Sequence, residues 1–229
     1  MKKLNVKVEH IYHSSFTVET ENYFLVFDYY KGNINLRDKK TIVFVSHGHG
    51  DHFNPKIFKW QNSTKDINYI LSSDIKLDFE DENIHFMNPY ETMSLGGVSI
   101  KTFGSTDLGV SFLINVDNIN IFHGGDLNWW HWENNSIEEN LHEEKIFKEE
   151  VEKIKGESID IAFFPVDPRL GTAFYYGGEY FIEEIKPKIF IPMHFGDKFS
   201  ITSDFIHRMK DNDTNIVEIN SSNQKFTFS

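Results

Sequence analysis

Residues 41–55 have the sequence Thr-Ile-Val-Phe-Val-Ser-His-Gly-His-Gly-Asp-His-Phe-Asn-Pro. The first five residues are uncharged and mostly β-branched, which predicts a short strand buried on both faces. The strand would end at a turn in which Gly48 and Gly50 allow tight or left-handed backbone angles. Three histidines and one aspartate lie in that turn: His47, His49, Asp51 and His52. We therefore expect the turn to direct several side chains toward one point.

The chemistry of these four side chains favours a metal site. Imidazole nitrogen and carboxylate oxygen are ligands that divalent transition metals prefer, at roughly 2.0–2.2 Å from zinc. A histidine-rich turn could instead be simply solvated, but four such groups within six residues after a buried strand favour metal binding. The chain has no cysteine, so any metal must be held by His, Asp and Glu. This excludes a structural site of the zinc-finger type.

Length and charge limit the class of protein. The chain has 229 residues and no linker-like stretch rich in Pro, Gly or Ser, so we expect one domain over residues 1–229. Its net charge of −12 opposes non-specific binding to nucleic acid or to an anionic membrane. The N-terminus lacks the apolar core of a signal peptide, and nowhere do 18 apolar residues run together. We therefore expect a cytoplasmic protein with no membrane span.

Two later strands also end at potential ligands. The strand predicted over Asn118–Phe122 leads into a glycine turn that ends at Asp126, and the apolar run after Lys188 leads to His194. Asp126 could be only a turn or N-cap residue, but a carboxylate there could also bridge two cations about 3.5–4 Å apart. Between these strands, apolar residues at intervals of three to five predict an amphipathic helix over Ser136–Lys155. Periodicity alone thus predicts an α/β or α+β protein.

The turn at 47–52 resembles the His-x-His-x-Asp-His signature of the metallo-β-lactamase superfamily, and the likeness covers most of the chain. Asp126 and His194 match the superfamily's Gly-Asp motif and its last ligand. The resemblance implies that the first metal site uses His47 and His49, that the second uses Asp51, His52 and His194, and that Asp126 bridges both. It also implies a four-layer αββα sandwich, in which two mixed β-sheets pack face to face between outer helices.

The chain departs from the superfamily pattern where the third histidine of the first site is usual. That loop has the sequence Gly104-Ser105-Thr106-Asp107 and contains no histidine. A serine hydroxyl is a poor zinc ligand, so the first site could be weaker, recruit Asp107 or a water, or be empty in some preparations. His13 lies in a His-Ser-x-Phe run that resembles the superfamily's opening strands. We interpret it as a hydrogen-bonded residue near the metals rather than a ligand.

Several residues near strand ends are candidates for substrate contact. Asn128 and His131 follow Asp126 in an aromatic cluster that could form a pocket wall, or could equally be core packing. Asp167 and Arg169 follow another buried strand, where they could contact substrate or form a purely structural ion pair. The resemblance implies that Asp51 orients the nucleophile, and as a first choice only we assign His131 to protonation of the leaving group.

The resemblance implies a metal-dependent hydrolase with one or two divalent ions. Such ions would lower the pKa of a bound water from ~15.7 toward ~7 and polarise a carbonyl or phosphoryl oxygen. Zinc is the first expectation, and manganese or iron are alternatives because His/Asp sets select weakly among metals. The motif layout is most similar to the branch containing ascorbate-6-phosphate lactonase and N-acylphosphatidylethanolamine phospholipase D.

This branch favours an ester, lactone or phosphodiester of a small cytoplasmic metabolite as substrate. The alternative is a non-catalytic metal-binding or ligand-binding protein on the same fold. Either protein could be a homo-oligomer.

Overall fold

Two β-sheets of seven strands each form the centre of the computed structural model, which describes residues 4–64 and 66–229. In the first sheet the strand order is β14-β1-β2-β3-β4-β5-β6. Its strands are β1 (Val6–Tyr12), β2 (Ser15–Glu19), β3 (Tyr23–Phe27), β4 (Lys40–Val45), β5 (Ile67–Ser72), β6 (Ile84–Met87) and β14 (Lys225–Phe228). The strands from β3 to β6 are parallel, and the others pair antiparallel. The predicted strand before the histidine turn is therefore β4, in the parallel part of the sheet.

The second sheet has the strand order β13-β12-β11-β10-β9-β8-β7. Its strands are β7 (Thr92–Leu95), β8 (Val98–Phe103), β9 (Ser111–Val116), β10 (Ile119–His123), β11 (Ile161–Pro165), β12 (Ile189–Met193) and β13 (Asn215–Ile216). The strands from β10 to β13 are parallel, so β10, β11 and β12 end at the same edge of the sheet. The loops that carry Asp126, Asp167 and His194 begin at this edge.

The core lies between the two sheets and continues on their outer faces. In β3, Leu25 and Phe27 belong to the cluster between the sheets, whereas Phe24 and Val26 belong to a cluster on the outer side. Phe27 stacks on Phe44 with ring centroids 5.1 Å apart and also lies 5.8 Å from Phe163 of the opposite sheet. Burial on both faces explains why this strand has no alternation of polar and apolar residues.

Helices cover the outer faces. Three α-helices pack outside the second sheet: α1 (Ile137–Ile154), α2 (Tyr176–Ile185) and α3 (Ser200–Arg208). The first begins at a capping box between Ser136 and Glu139 and buries Phe147 and Val151, as the predicted helix over Ser136–Lys155 required. A 3₁₀ helix, Pro55–Asn62, covers the first sheet through Ile57. The predicted αββα sandwich is confirmed.

Some predicted elements differ from those observed. At one edge of the second sheet, β13 contains only Asn215–Ile216. β10 extends to His123, whose ring is fully buried, stacks on Phe27 and contacts the carbonyl of Ser14 through Nε2 at 3.0 Å. Within the described ranges, none of the helices combines the length and the apolar character needed to cross a lipid bilayer.

Candidate metal centre

The turn after β4 carries four of the predicted ligands. Backbone N–H groups of His52 and Phe53 both donate to the carbonyl of His49, at 3.0 and 2.9 Å, which closes the turn tightly. His47 and His52 are fully buried, whereas the side chain of His49 is 50% exposed. The turn therefore points its ligands in different directions, and they join two separate groups of side chains.

The first group consists of His47, His49, Asp107 and Asp126, whose potential ligand atoms all lie within 4.8 Å of one another. Asp107 Oδ2 is 3.4 Å from His49 Nδ1. Ser105 is not in the group, and its hydroxyl accepts a hydrogen bond from the Asp107 backbone N–H at 3.2 Å. Of the alternatives open from the sequence, the structure thus supports Asp107 as the group that stands beside His49.

The second group consists of His13, Asp51, His52 and His194, again with potential ligand atoms within 4.8 Å of one another. His194 follows β12 and His13 follows β1, and their ring centroids are 4.1 Å apart. Both residues have positive φ, 68° and 57°, which is uncommon for a side chain other than glycine. Sequence reasoning placed His13 outside the ligand set, and by distance alone the structure brings it inside.

Asp126 lies between the two groups. Its Oδ1 is 3.0 Å from His52 Nε2 and 3.1 Å from His194 Nε2, while its Oδ2 is 3.5 Å from His47 Nε2. The two oxygens of one carboxylate thus face histidines of different groups. This is the geometry that the bridging role implied by the resemblance requires.

Buried oxygen atoms accept hydrogen bonds from Nδ1 of the imidazole rings whose Nε2 faces Asp126. His52 Nδ1 lies 2.7 Å from Asp28 Oδ2, and His194 Nδ1 lies 3.0 Å from Asp167 Oδ2. Ser46 Oγ donates to Asp28 at 2.7 Å and therefore accepts from His47 Nδ1, at 3.0 Å. Each of these Nδ1 atoms carries the proton, which leaves the three Nε2 atoms free to act as ligands.

The Nε2 atoms fit a metal because they are otherwise unsatisfied. Nε2 of His47, His52 and His194, and Oδ1 of Asp126, are buried without a hydrogen-bond partner of acceptable geometry. Buried polar atoms are normally satisfied, so the convergence of these atoms at one place fits a bound metal ion. The His/Asp groups are therefore compatible with one or two divalent ions.

Electrostatics couples these side chains strongly. Burial acts to raise the pKa of Asp126, but His194 and His52 outweigh it and hold the pKa well below its usual range. Burial acts to lower the pKa of His52, yet Asp126 and Asp28 raise it to about 10. The pKa of His194 is raised against burial by Asp126 and Asp167. Without a bound ion, Asp126 is therefore ionised, and the His52 imidazole holds a proton that a metal must displace.

Two adjoining cavities open at the centre. One has a volume of about 380 Å³ and is lined by Asp126, Trp130 and Trp132, and the other has a volume of about 440 Å³ and is lined by His13, Tyr30 and Phe195. Asp51, Arg169 and His194 line both cavities. Asp51 therefore stands at the junction, which suits the orienting role assigned to it from the sequence.

The four residues predicted to meet substrate or to transfer a proton have different positions. Arg169 lines both cavities, but Asp167 is fully buried and accepts hydrogen bonds from Arg169 and His194. Asn128 is buried, and its backbone N–H donates a hydrogen bond to Thr106 Oγ1 at 2.9 Å. The His131 ring packs against Tyr176, with ring centroids 5.3 Å apart. Neither lines a described cavity. The roles of Asn128 in substrate contact and of His131 in proton transfer stay predictions.

Comparisons with known proteins agree with this architecture. A metallo hydrolase from the hyperthermophilic archaeon Ignicoccus hospitalis superimposes with a TM-score of 0.69 at 16% identity, over 98% of this chain and 99% of that one. The metallo-β-lactamase fold protein YhfI of Bacillus subtilis gives 0.63 at 13% identity, over 98% and 99%. The diiron β-hydroxylase CmlA of Streptomyces venezuelae gives 0.63 at 9% identity, over 99% and 55%. These similarities concern the fold.

The sequence itself matches a family model described as the β-lactamase superfamily domain, over residues 7–194. The match begins in β1 and ends at His194, so it includes every residue of the two groups. Because the model covers most of the chain and the fold agrees with it, this chain belongs to the β-lactamase superfamily.

Proposed function

We propose that this protein is a metal-dependent hydrolase that acts on an ester, lactone or phosphodiester bond of a small cytoplasmic metabolite. The observation that carries the proposal is the meeting of two His/Asp groups at Asp126, next to a cavity large enough for a small molecule. Bound divalent ions would activate a water and polarise the bond under attack. Zinc is our first choice, with manganese or iron as alternatives.

The ligand assignment follows the two groups. We assign His47, His49 and Asp107 to the first site, Asp51, His52 and His194 to the second, and Asp126 to both. Asp167 and Asp28 contact the ligand histidines and not the metal. They accept hydrogen bonds from Nδ1 of His194 and His52 and so keep a proton on that nitrogen. Asp167 thus has a positioning role in this proposal, although it was also a candidate for substrate contact.

Two side chains would handle the substrate and the attacking water. Asp51 is ionised, because the neighbouring His13 holds its pKa below the usual range, so it can accept a hydrogen bond and orient a water. Arg169 is fixed on Asp167 through Nε, at 2.8 Å, and its side chain is 54% exposed toward the cavities. Its remaining N–H groups could hold a carbonyl, carboxylate or phosphate oxygen of the substrate.

The proposal is tested by hydrolysis before and after removal of metal. A p-nitrophenyl ester, a simple lactone and bis-p-nitrophenyl phosphate should be assayed on protein stripped with a chelator and reloaded with Zn²⁺, Mn²⁺ or Fe²⁺. We expect turnover of at least one class, loss on stripping and recovery on reloading. Full metal occupancy with no turnover of any class would favour the alternative, a non-catalytic metal-binding or ligand-binding protein.

We also expect the two metal sites to differ in affinity. His49 and Asp107 are 50% and 44% exposed, so two ligands of the first site are free to move, whereas only Asp51 is comparably exposed in the second. The second site should bind more tightly by about tenfold or more, equal to about 1.4 kcal/mol. Chelator titration of the zinc-loaded protein should therefore release metal in two phases.

Asp107→Asn should affect only the weaker phase, and the exposed Asp211→Asn should affect neither. Release of two equivalent ions in one phase would contradict this prediction.

A further inference from the structure

His13 differs from the other buried histidines of the centre in the hydrogen bond that its Nδ1 makes. The backbone N–H of Gly196 donates to His13 Nδ1 at 3.1 Å. A nitrogen that accepts a hydrogen bond from an N–H carries no proton itself, so the ring of His13 is neutral with its proton on Nε2. In His52 and His194 the arrangement at Nδ1 is the opposite, because carboxylates accept from these nitrogens, which therefore carry a proton.

This tautomer is set by the backbone. The turns after β1 and β12 are joined by a second hydrogen bond, from the His194 N–H to the His13 carbonyl at 3.3 Å. Positive φ angles at His13, His194 and Gly196 hold the two turns in this arrangement. The acceptor position of His13 Nδ1 therefore does not depend on a side-chain rotamer of its partner.

The consequence for metal binding is direct. A ligand nitrogen must offer a free lone pair. His52 can lose an Nε2 proton and remain neutral because its Nδ1 keeps a proton, whereas His13 would have to become an imidazolate anion because its Nδ1 accepts a hydrogen bond. The second site does not need His13, because Asp51, His52, His194 and Asp126 already provide four groups, the usual number for zinc. Closeness to the group is thus not enough to make His13 a ligand.

Among the described residues, the Nε2–H group of His13 has no hydrogen-bond partner of good geometry. It is buried, it makes no hydrogen bond of acceptable geometry, and the nearest carboxylate oxygen, Asp51 Oδ2, is 3.6 Å away. His13 lines the larger cavity together with Tyr12, Tyr30 and Phe195, and Asp51 stands at its edge. A buried donor beside a cavity and a potential metal site is placed to meet an oxygen of a bound molecule.

We propose that His13 is a hydrogen-bond donor to a substrate oxygen in the larger cavity and is not a metal ligand. The acceptor is a carbonyl or phosphoryl oxygen of the bond that Asp51 and the metal site face. The identity of this acceptor rests on the proposed hydrolase function, whereas the exclusion of His13 from the ligand set does not.

Metal content tests the first half of the proposal. His13→Ala, His13→Gln and His194→Ala should each be loaded with Zn²⁺ and analysed for metal per chain, with the exposed His207→Ala as a matched control. We expect both His13 variants and the control to retain the wild-type amount and His194→Ala to lose metal. Long-range ¹H–¹⁵N spectra should show His13 protonated on Nε2 before and after zinc is added. Loss of metal in both His13 variants, or a zinc-dependent loss of the Nε2 proton, would overturn the proposal.

Binding of inorganic phosphate tests the second half without requiring turnover. Zinc-loaded His13→Ala should bind phosphate about tenfold more weakly than the wild type, and His13→Gln, which keeps an N–H donor, should recover part of the loss. Where hydrolysis is measurable, kcat/KM should fall about 100-fold in His13→Ala and less in His13→Gln. Equal phosphate affinity in wild type and His13→Ala, or no phosphate binding by either, would overturn the donor role. A phosphate effect without turnover of any substrate would contradict the hydrolase proposal and leave the role of His13 supported.

Discussion

Asp126→Asn is expected to lower bound metal and hydrolysis together, each by about 100-fold or more. The two oxygens of Asp126 lie 3.0 to 3.5 Å from Nε2 of His52, His194 and His47, so both proposed sites depend on it. Asparagine keeps the shape of the side chain but replaces one carboxylate oxygen by an –NH2 group, which can neither accept a hydrogen bond nor bind a metal. It also removes the negative charge. Elemental analysis and kcat/KM on the same preparation measure the two effects.

Two further variants make this prediction specific. The exposed Asp211→Asn should change neither quantity, which controls for the loss of one negative charge. Asp167→Asn should have an intermediate effect, about 10-fold to 100-fold on metal affinity, because Asp167 only orients His194 through Nδ1. Asp126→Asn protein with full metal and full activity would show that Asp126 is a turn residue and no more.

Metal binding is expected to weaken steeply as the pH falls. In the metal-free protein the pKa of His52 is raised to about 10, so this imidazole is protonated at neutral pH, and the pKa of His194 is raised as well. The Nε2 proton of His52 must leave before this nitrogen can coordinate, so binding releases a proton and affinity rises with pH up to about the pKa of His52. We expect about one to two protons released per chain, and affinity that falls about tenfold per pH unit for each proton.

Calorimetry in buffers of different ionisation enthalpy counts the released protons, and chelator competition between pH 6 and 9 gives the slope. Affinity that is constant over this range would contradict the prediction.

The rate of hydrolysis should also rise with pH, with an apparent pKa near ~7 when metal is saturating. Asp51→Ala should lower the plateau far more than His131→Ala, since Asp51 joins the two cavities whereas His131 packs on Tyr176. A rate that survives exhaustive chelation would exclude the turn at 47–52 as the catalytic centre.

The loop that carries Asp107 shows how distant elements complete the site. Glu150 of α1 accepts the Gly104 N–H at 2.7 Å and the Tyr90 hydroxyl at 2.8 Å, and Val110 N–H donates to the carbonyl of Ser46 at 2.9 Å. Glu150 is buried, although it lies in the polar sequence that predicts an amphipathic helix over Ser136–Lys155. Its structural role therefore depends on a loop more than forty residues earlier in the chain.

Local sequence was sufficient for the histidine turn and for the two strands that end at Asp126 and His194. Their potential ligands follow directly after a buried strand. Side chains that follow neighbouring parallel strands lie at the same edge of the sheet. The same local pattern, with the superfamily resemblance, was sufficient for the αββα sandwich. These features depend on the spacing of residues and on their burial, and the order of polar and apolar residues in the sequence predicts both.

Only the tertiary structure decided which side chains complete the groups. Asp107 rather than Ser105 stands beside His49, Asp167 holds His194, and His13 presents Nε2–H because a backbone N–H of another turn occupies its Nδ1. Each of these relations joins segments 27 to 183 residues apart or depends on a loop conformation that distant residues hold. Neither residue type nor spacing determines such contacts, because they arise when separate loops pack together at the edge of two sheets.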